Sequence, residues 1–297
     1  MFKRICLLVT CILCILFFAT PAFAKFNIAA TLPWIGSIAS EIGQDKVRVT
    51  SFVKPNQDPH FVAAKPSMIL DVRKADILMY NGMDLEIGYL PVLVESSKNP
   101  KIQPGNPGNF DCSKFIDPIE VPTLVDRSMG DVHPQGNPHY QLSPKNILRV
   151  AEGIAGILSK TDPENAGFYT KNFSSFRERL EEKQREWSAI PLRGKKFVAY
   201  HKFFEYLALE LGFEIVGYIE PKPGIPPSAS YVEKLVDMIR RAKPDAILSL
   251  SYYPQKEVKF LSEKTGVKSI IVPHDVGETE KVKDWFSLMD EVLKSLE

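Results

Sequence analysis

The sequence predicts an α/β protein of two βα lobes, each with a mainly parallel sheet, joined by a long rigid backbone helix. In both halves of the 297-residue chain, apolar runs of strand length alternate with amphipathic segments of helix length, which is the pattern of βα units. Between the halves, Glu164 to Ala189 runs for 26 residues without proline. At ~1.5 Å per residue such a helix would be roughly 40 Å long.

The first half supplies the N-terminal lobe, expected over residues 25–143. Its apolar runs have the length of strands, and the helical segments between them indicate parallel pairing. The predicted strands are Phe26–Ala30, Val47–Val53 and Ile77–Tyr80, and the predicted helices lie near Trp34–Ile42 and Ser67–Lys74.

A helical region follows over residues 144–190. It opens at Ser143-Pro144, an N-cap residue followed by proline at the first helical position. A second opening at Thr161-Asp162-Pro163 precedes the long helix. This region is therefore expected to connect the two lobes.

The C-terminal lobe is expected over residues 191–297. The Pro-rich stretch Glu220–Pro227 cannot form a helix or a central strand. Ser230 and Glu233 have the spacing of a capping box that would start a helix through Arg241. The predicted strands are Lys196–Tyr200, Glu214–Tyr218, Ala246–Leu250 and Ser269–Val272.

Residues 1–24 have the features of a signal peptide. Lys3 and Arg4 precede the uncharged apolar run Ile5–Phe18, and Ala22-Phe23-Ala24 is a small-x-small cleavage site. The run has 14 residues, fewer than the roughly 20 that a membrane-spanning helix needs. We therefore expect export to the periplasm or to the extracytoplasmic cell surface.

Cysteine usage and charge exclude several classes of protein. Cys6, Cys11 and Cys14 lie inside the apolar run and not at the cleavage point, which argues against a lipid anchor. The mature chain keeps only Cys112, so it forms neither an internal disulfide nor a thiolate metal site. Of 37 basic residues two leave with the leader, so 36 acidic residues face 35 basic ones. This balance does not indicate a nucleic-acid partner.

Four of the five histidines stand where a metal ligand would be presented. His60 and His139 each follow a proline in a predicted loop, where the rigid backbone directs the imidazole. His201 and the pair His274-Asp275 directly follow predicted strands, at the edge where open parallel sheets bind ligands. Three imidazoles and one carboxylate suit four-coordinate Zn²⁺. No two of the three imidazoles are close in sequence, so spacing alone leaves open that each is structural or merely exposed.

Several motifs, in this order, resemble the zinc- and manganese-binding solute receptors of ABC importers, the cluster A-I substrate-binding proteins. The match covers nearly the whole mature chain. It implies two α/β lobes joined by one long helix, a metal buried in the cleft between them, a membrane permease as partner and a monomeric receptor. The motifs are Asp58-Pro59-His60, Ala75-Asp76-Ile77, Tyr80-Asn81-Gly82, Gly136-Asn137-Pro138-His139, His201-x-x-Phe204-x-Tyr206-Leu207, Glu220-Pro221-Lys222-Pro223-Gly224 and Thr265-Gly266-Val267.

Carried over residue by residue, the resemblance makes His60, His139 and His201 the three imidazole ligands. A carboxylate at the end of a late strand usually completes the set, and Asp275 stands there. His274 precedes it and is the alternative for the fourth position.

Two further residues are expected near the cleft, His133 with two possible roles and Glu220 with one. His133 lies where many zinc receptors carry a metal-collecting loop, so it is either a solvent-facing loop residue or a transient entry ligand. Glu220 is expected to form a wall of the cleft and not to bind the metal.

The ligand types favour zinc, because manganese prefers more oxygen ligands. Mn²⁺ remains the alternative cargo of the same kind of receptor. A secreted zinc-dependent hydrolase is the rival class, but neither HExxH nor a comparable motif supplies a general base. We therefore expect no enzyme and no catalytic residue.

Overall fold

The computed structural model of the chain describes residues 25–126, 130 and 132–297. The predicted signal peptide, residues 1–24, lies outside these residues. In the described part of the chain, no helix is long and apolar enough to cross a membrane.

The first sheet consists of four parallel strands. The elements of this lobe are β1 (Phe26–Ala30), α1 (Pro33–Gly43), β2 (Val47–Ser51), α2 (Pro66–Lys74), β3 (Ile77–Tyr80), α3 (Leu90–Ser97) and β4 (Asn109–Asp111). The strand order is β2-β1-β3-β4, so β1 pairs with the two strands that follow it in sequence. Helices α1, α2 and α3 each carry a proline in the first turn, where its missing N–H leaves no hydrogen bond unmade.

Two helices follow, α4 (Pro144–Thr161) and α5 (Ala166–Ser188). Ser143 caps α4 as predicted, its hydroxyl accepting from the N–H of Asn146 at 3.2 Å. The 23 residues of α5 give a length of roughly 35 Å. The expectation of one long helix that links two lobes is confirmed, although a 3₁₀ turn, Pro163–Asn165, replaces its first predicted residues.

The second sheet repeats the topology of the first. Its elements are β5 (Lys196–Ala199), α6 (Glu205–Leu211), β6 (Glu214–Tyr218), α7 (Ala229–Ala242), β7 (Ala246–Leu250), α8 (Gln255–Thr265), β8 (Ser269–Val272) and α9 (Trp285–Leu296). The four strands are again all parallel, in the order β6-β5-β7-β8. In both sheets the strand order reverses at the two central strands, and the carboxyl edge there is the usual ligand site of such folds.

A few local predictions were wrong. The capping box at Ser230 does not form: Ser228 is the N-cap of α7 and accepts from the N–H of Tyr231 at 3.3 Å. Strand β4 was not predicted, because three residues give too short a pattern. Strand β2 ends at Ser51, although the N–H of Val53 still donates to Thr31 at 3.0 Å and extends the pairing.

Helix α9 ties the end of the chain to the linking helix and the first lobe. The backbone N–H of Trp285 donates to Ser37 at 3.1 Å, and its indole N–H donates to the carbonyl of Gln141 at 2.7 Å. Trp285 also packs on Phe176 and Trp187 of α5. Buried aromatic contacts of this kind hold the two lobes in a defined relation.

Candidate metal centre

His60 lies in a 3₁₀ turn, Pro59–Phe61, that follows β2. Asp58 caps the turn by accepting from the backbone N–H of His60 at 3.0 Å. The same carboxylate oxygen lies 2.7 Å from Nδ1 of the His60 ring. Burial alone would raise the pKa of Asp58, but the contacts with His60 lower it below its ordinary value. The Asp58 carboxylate is therefore charged where it contacts the ring of His60.

His139 is placed by a hydrogen-bonded loop between the lobes. Its backbone N–H donates to Oδ1 of Asn137 at 2.9 Å. The side-chain amide of Asn137 donates to Glu120 at 2.9 Å and to the carbonyl of Lys202 at 3.0 Å. Asn81 donates to the carbonyl of Pro138 at 3.1 Å. These bonds fix the backbone on both sides of the imidazole.

His201 follows β5 at the carboxyl edge of the second sheet. The backbone N–H of Tyr200 still pairs with Leu248 at 2.8 Å, and the N–H of Glu220 donates to Tyr200 at 3.0 Å. Glu220 is thereby brought beside His201, and its Oε2 lies 2.7 Å from Nδ1 of the ring. The sequence assigned Glu220 to the wall of the cleft, and no local pattern showed this contact.

The three imidazoles converge at one point between the lobes. Their ligand nitrogens all lie within 4.8 Å of one another, and Nε2 of His139 is 3.1 Å from Nε2 of His201. Ring centroids of His60 are 5.2 Å from His139 and 5.7 Å from His201. Tetrahedral Zn²⁺ with Zn–N of about 2.0–2.1 Å places its ligand nitrogens roughly 3.3 Å apart. The pair His139 and His201 already has about this nitrogen spacing, and the three imidazoles supply three of the four ligands of such a site.

The surroundings keep His139 uncharged. Its side chain is 1% exposed, and burial followed by the neighbouring imidazoles, first His201 and then His60, lowers its pKa well below the usual value. A neutral imidazole is the form that binds a metal. His139 is therefore held in the neutral form that can coordinate a metal cation.

The predicted fourth ligand stands apart from this cluster. Asp275 is fully buried, which raises its pKa, and its Oδ1 accepts from the N–H of Val276 at 2.7 Å. His274 donates through Nδ1 to the carbonyl of Pro55 at 3.3 Å and packs against Tyr252 at a centroid distance of 4.9 Å. Burial lowers the pKa of His274 to about 4. The three-histidine cluster contains neither residue.

His133 lies closer to the site than a solvent-facing loop residue would. Its ring centroid is 5.3 Å from that of His60, and its Nδ1 donates to the carbonyl of Met83 at 2.8 Å. It also lines a cavity of about 320 Å³ beside His139 and His201, whose other walls include the proline loop at Pro221–Pro223. His133 thus stands next to the cluster on the side of this cavity.

The two carboxylates nearest the imidazoles are not placed as general bases. Asp58 and Glu220 each bind Nδ1 of a histidine, on the ring edge away from the cluster centre. A zinc-dependent hydrolase would need a general base within hydrogen-bond reach of a metal-bound water, and these two carboxylates are instead bound to the imidazoles. The fold and site thus define a metal-binding protein with its site between two α/β lobes.

Comparison with known proteins assigns the family. Residues 28–297 match the family described as ZnuA, zinc-uptake complex component A, periplasmic, and the chain belongs to it. It is therefore a metal-binding receptor of an ABC importer, as the motifs implied. A hydrolase is not supported.

Two curated relatives and one solved structure illustrate the match. The iron-binding protein YfeA of Yersinia pestis is 30% identical over 277 residues, covering 90% of this chain and 83% of its own. A manganese ABC transporter substrate-binding lipoprotein, PsaA of Streptococcus mitis, is 27% identical, covering 82% and 78%. A crystal structure of ZnuA is 24% identical, covers 92% of this chain and 98% of its own, and has a TM-score of 0.76. This structural likeness concerns the fold, in which two parallel-sheet lobes are linked by a long helix.

Proposed function

We propose that the chain captures one Zn²⁺ ion through His60, His139 and His201 and passes it to the permease of an ABC importer. The observation that carries the proposal is the convergence of three buried imidazole nitrogens within 4.8 Å, drawn from loops of both lobes. Imidazole is a preferred ligand of zinc, and four-coordinate sites with three histidines are common for this ion.

Asp275 is the proposed fourth ligand. Among the described residues, the hydrogen bonds of its buried carboxylate come from the backbone N–H groups of Val276 and Trp34, and a buried carboxylate without a cation beside it is costly. Coordination requires the loop after β8 to bring the carboxylate toward the imidazoles. His274 is the alternative fourth ligand, because its Nε2 is buried without a hydrogen-bond partner in the described part of the chain.

Manganese is the second candidate cargo. The name of the PsaA relative states that it serves manganese transport, and that of YfeA states that it binds iron. Three nitrogens and one carboxylate oxygen form a softer set than manganese prefers, and zinc binds more tightly than manganese to sites of this type. The donor set therefore supports zinc as the cargo of this chain.

The proposed place of action is the periplasm or the extracytoplasmic surface. The support is the leader at residues 1–24, with its charged start, apolar run and cleavage site. We further propose that the receptor acts as a monomer, with the membrane permease as its protein partner and no part for nucleic acid.

A competition titration tests the cargo. The mature protein is equilibrated with equal total Zn²⁺ and Mn²⁺ and a dye of known zinc affinity. We expect one site per chain that is filled by zinc and is not emptied by excess manganese. Displacement of zinc by equimolar manganese would reject the zinc assignment, and binding of neither ion would reject the proposed site.

A further inference from the structure

We propose that Asp58 and Glu220 are positioning residues that hold His60 and His201 in the Nδ1–H tautomer, so that each lobe presents an Nε2 lone pair to the metal. The proposal rests on the proposed function of the site. It adds that the two carboxylates contribute negative charge beside a bound dication without themselves coordinating it.

The geometry of the two contacts is nearly the same in both lobes. Each carboxylate oxygen lies 2.7 Å from the Nδ1 atom of its histidine. The His201 side chain is 7% exposed and that of Glu220 is 11% exposed, so water competes little for the bond. A carboxylate that accepts from one ring nitrogen leaves the lone pair on the other, which fixes both the tautomer and the ring direction.

His139 provides an internal contrast. Its Nδ1 is buried without a hydrogen-bond partner among the described residues, and its position is set through the backbone by Asn137. Nothing in its contacts selects one tautomer by charge. The carboxylate pairing is thus a feature of the one histidine that each lobe contributes next to its sheet. It is not a feature of every imidazole in the cluster.

Charge is a second role for the two carboxylates. Three neutral imidazoles add no charge and the proposed ligand Asp275 adds one negative charge, so a buried dication stays partly uncompensated, which is unfavourable. Asp58 and Glu220 place two negative charges one imidazole ring away from the metal position. A partner of this kind also makes the ligand imidazole more basic, and its removal typically weakens metal binding about 10- to 100-fold.

The first test reads the tautomers directly. Long-range ¹H–¹⁵N correlation spectra of the metal-free mature protein are recorded, with only five histidines to assign. We expect the Nδ1–H form at His60 and His201. Glu220→Leu should abolish this preference at His201 and leave His60 unchanged, and Asp58→Ala should do the reverse. An Nε2–H form at both residues of the wild type would overturn the proposal.

The second test measures zinc affinity in the same proteins. Glu220→Leu should weaken binding about 10- to 100-fold. Glu220→Gln, which keeps the shape and an acceptor but loses the charge, should recover part of that loss, and Asp58→Asn should behave like it. Glu210→Gln is the control, because this exposed carboxylate contacts Ser143 and Lys145 and, among the described residues, no imidazole. It should stay within threefold of the wild type.

The outcomes separate the two proposals. If the wild type binds no divalent metal, the proposed function fails, whatever the tautomers. If zinc binds but Glu220→Leu and Asp58→Ala keep wild-type affinity, the positioning role fails and the receptor function stands. The isosteric variants Glu220→Gln and Asp58→Asn keep the test valid if the larger changes prevent folding, since loss of charge alone should still weaken binding.

Discussion

Replacement of His139 by alanine should nearly remove the stabilisation of the protein by zinc. A structural zinc site contributes about 10–16 kcal/mol, so one of four ligands accounts for about 2.5–4 kcal/mol, or a 100- to 1,000-fold change in affinity. With free zinc at 1,000 times the wild-type Kd, the wild type gains about 4.1 kcal/mol. In the variant the same zinc is one to ten times Kd and adds only about 0.4–1.4 kcal/mol.

The metal-free variant should melt close to the wild type. The Nδ1 atom of His139 is buried without a hydrogen-bond partner among the described residues, so removing the imidazole removes an unfavourable buried polar atom. The substitution also opens a small cavity, which has the opposite effect on stability. Differential scanning calorimetry at fixed free zinc measures both effects. At roughly 2–4 °C per kcal/mol, the wild-type melting temperature should rise by about 8 °C or more with zinc.

His133→Ala is the control, because His133 contacts the ring of His60 and lies outside the three-histidine cluster. It should keep most of the zinc-induced rise. A zinc-induced rise in His139→Ala equal to that of the wild type would refute the assignment of this residue as a ligand. A loss in His133→Ala as deep as in His139→Ala would show that the ligand set is different.

Three further predictions concern other parts of the molecule. Asp275→Ala and His274→Ala decide the fourth ligand: the variant that loses zinc affinity in a competitor titration, with the other near wild type, identifies it. Burial raises the pKa of Glu86 to about 7, above its unfolded value near 4.5. Its contribution to the free energy of unfolding is therefore complete below about pH 4.5. On the order of 3 kcal/mol of that contribution is lost as the pH rises through 7. Glu86→Gln should flatten the pH dependence of the melting temperature, and an unchanged slope between pH 5 and 8 would contradict this. Ser143→Ala removes the cap of α4 and the hydrogen bond from its hydroxyl to Glu210, and should lower the free energy of unfolding by about 1 kcal/mol or more in urea titrations. No change would mean that neither contact contributes to stability.

Most of the strands could be predicted because their sequences are long enough to be recognised without knowledge of their partners. Ile77–Tyr80 and Ala246–Leu250 are central strands with buried side chains, and their sequence bounds agree with the structure. Asn109–Asp111 escaped because an edge strand of three residues has too few side chains to show a pattern. Short edge strands are defined by their partner and not by their own sequence.

The site could be predicted only in part. A proline before His60 and His139, and a strand before His201, are local signals that the sequence carries. The Glu220 contact depends on the return of the chain through β6, nineteen residues later, so no spacing rule shows it. The position of His133 beside His60 likewise depends on how the loop folds back.

The identity of the fourth ligand also could not be determined from the sequence alone. Its place after a late strand and its family position predict a ligand, yet a one-residue change of direction at the strand end decides whether Asp275 or His274 faces the cleft. In the structure both side chains are buried and neither joins the cluster. The fourth ligand therefore stays a prediction.

The most direct test of the central claim is native mass spectrometry with metal analysis of the mature protein purified from its own compartment. The account predicts one zinc ion per chain, retained in the wild type and absent when His60, His139 and His201 are all replaced by alanine. A metal content that is unchanged by the triple substitution, or a protein that carries no divalent metal at all, would contradict it.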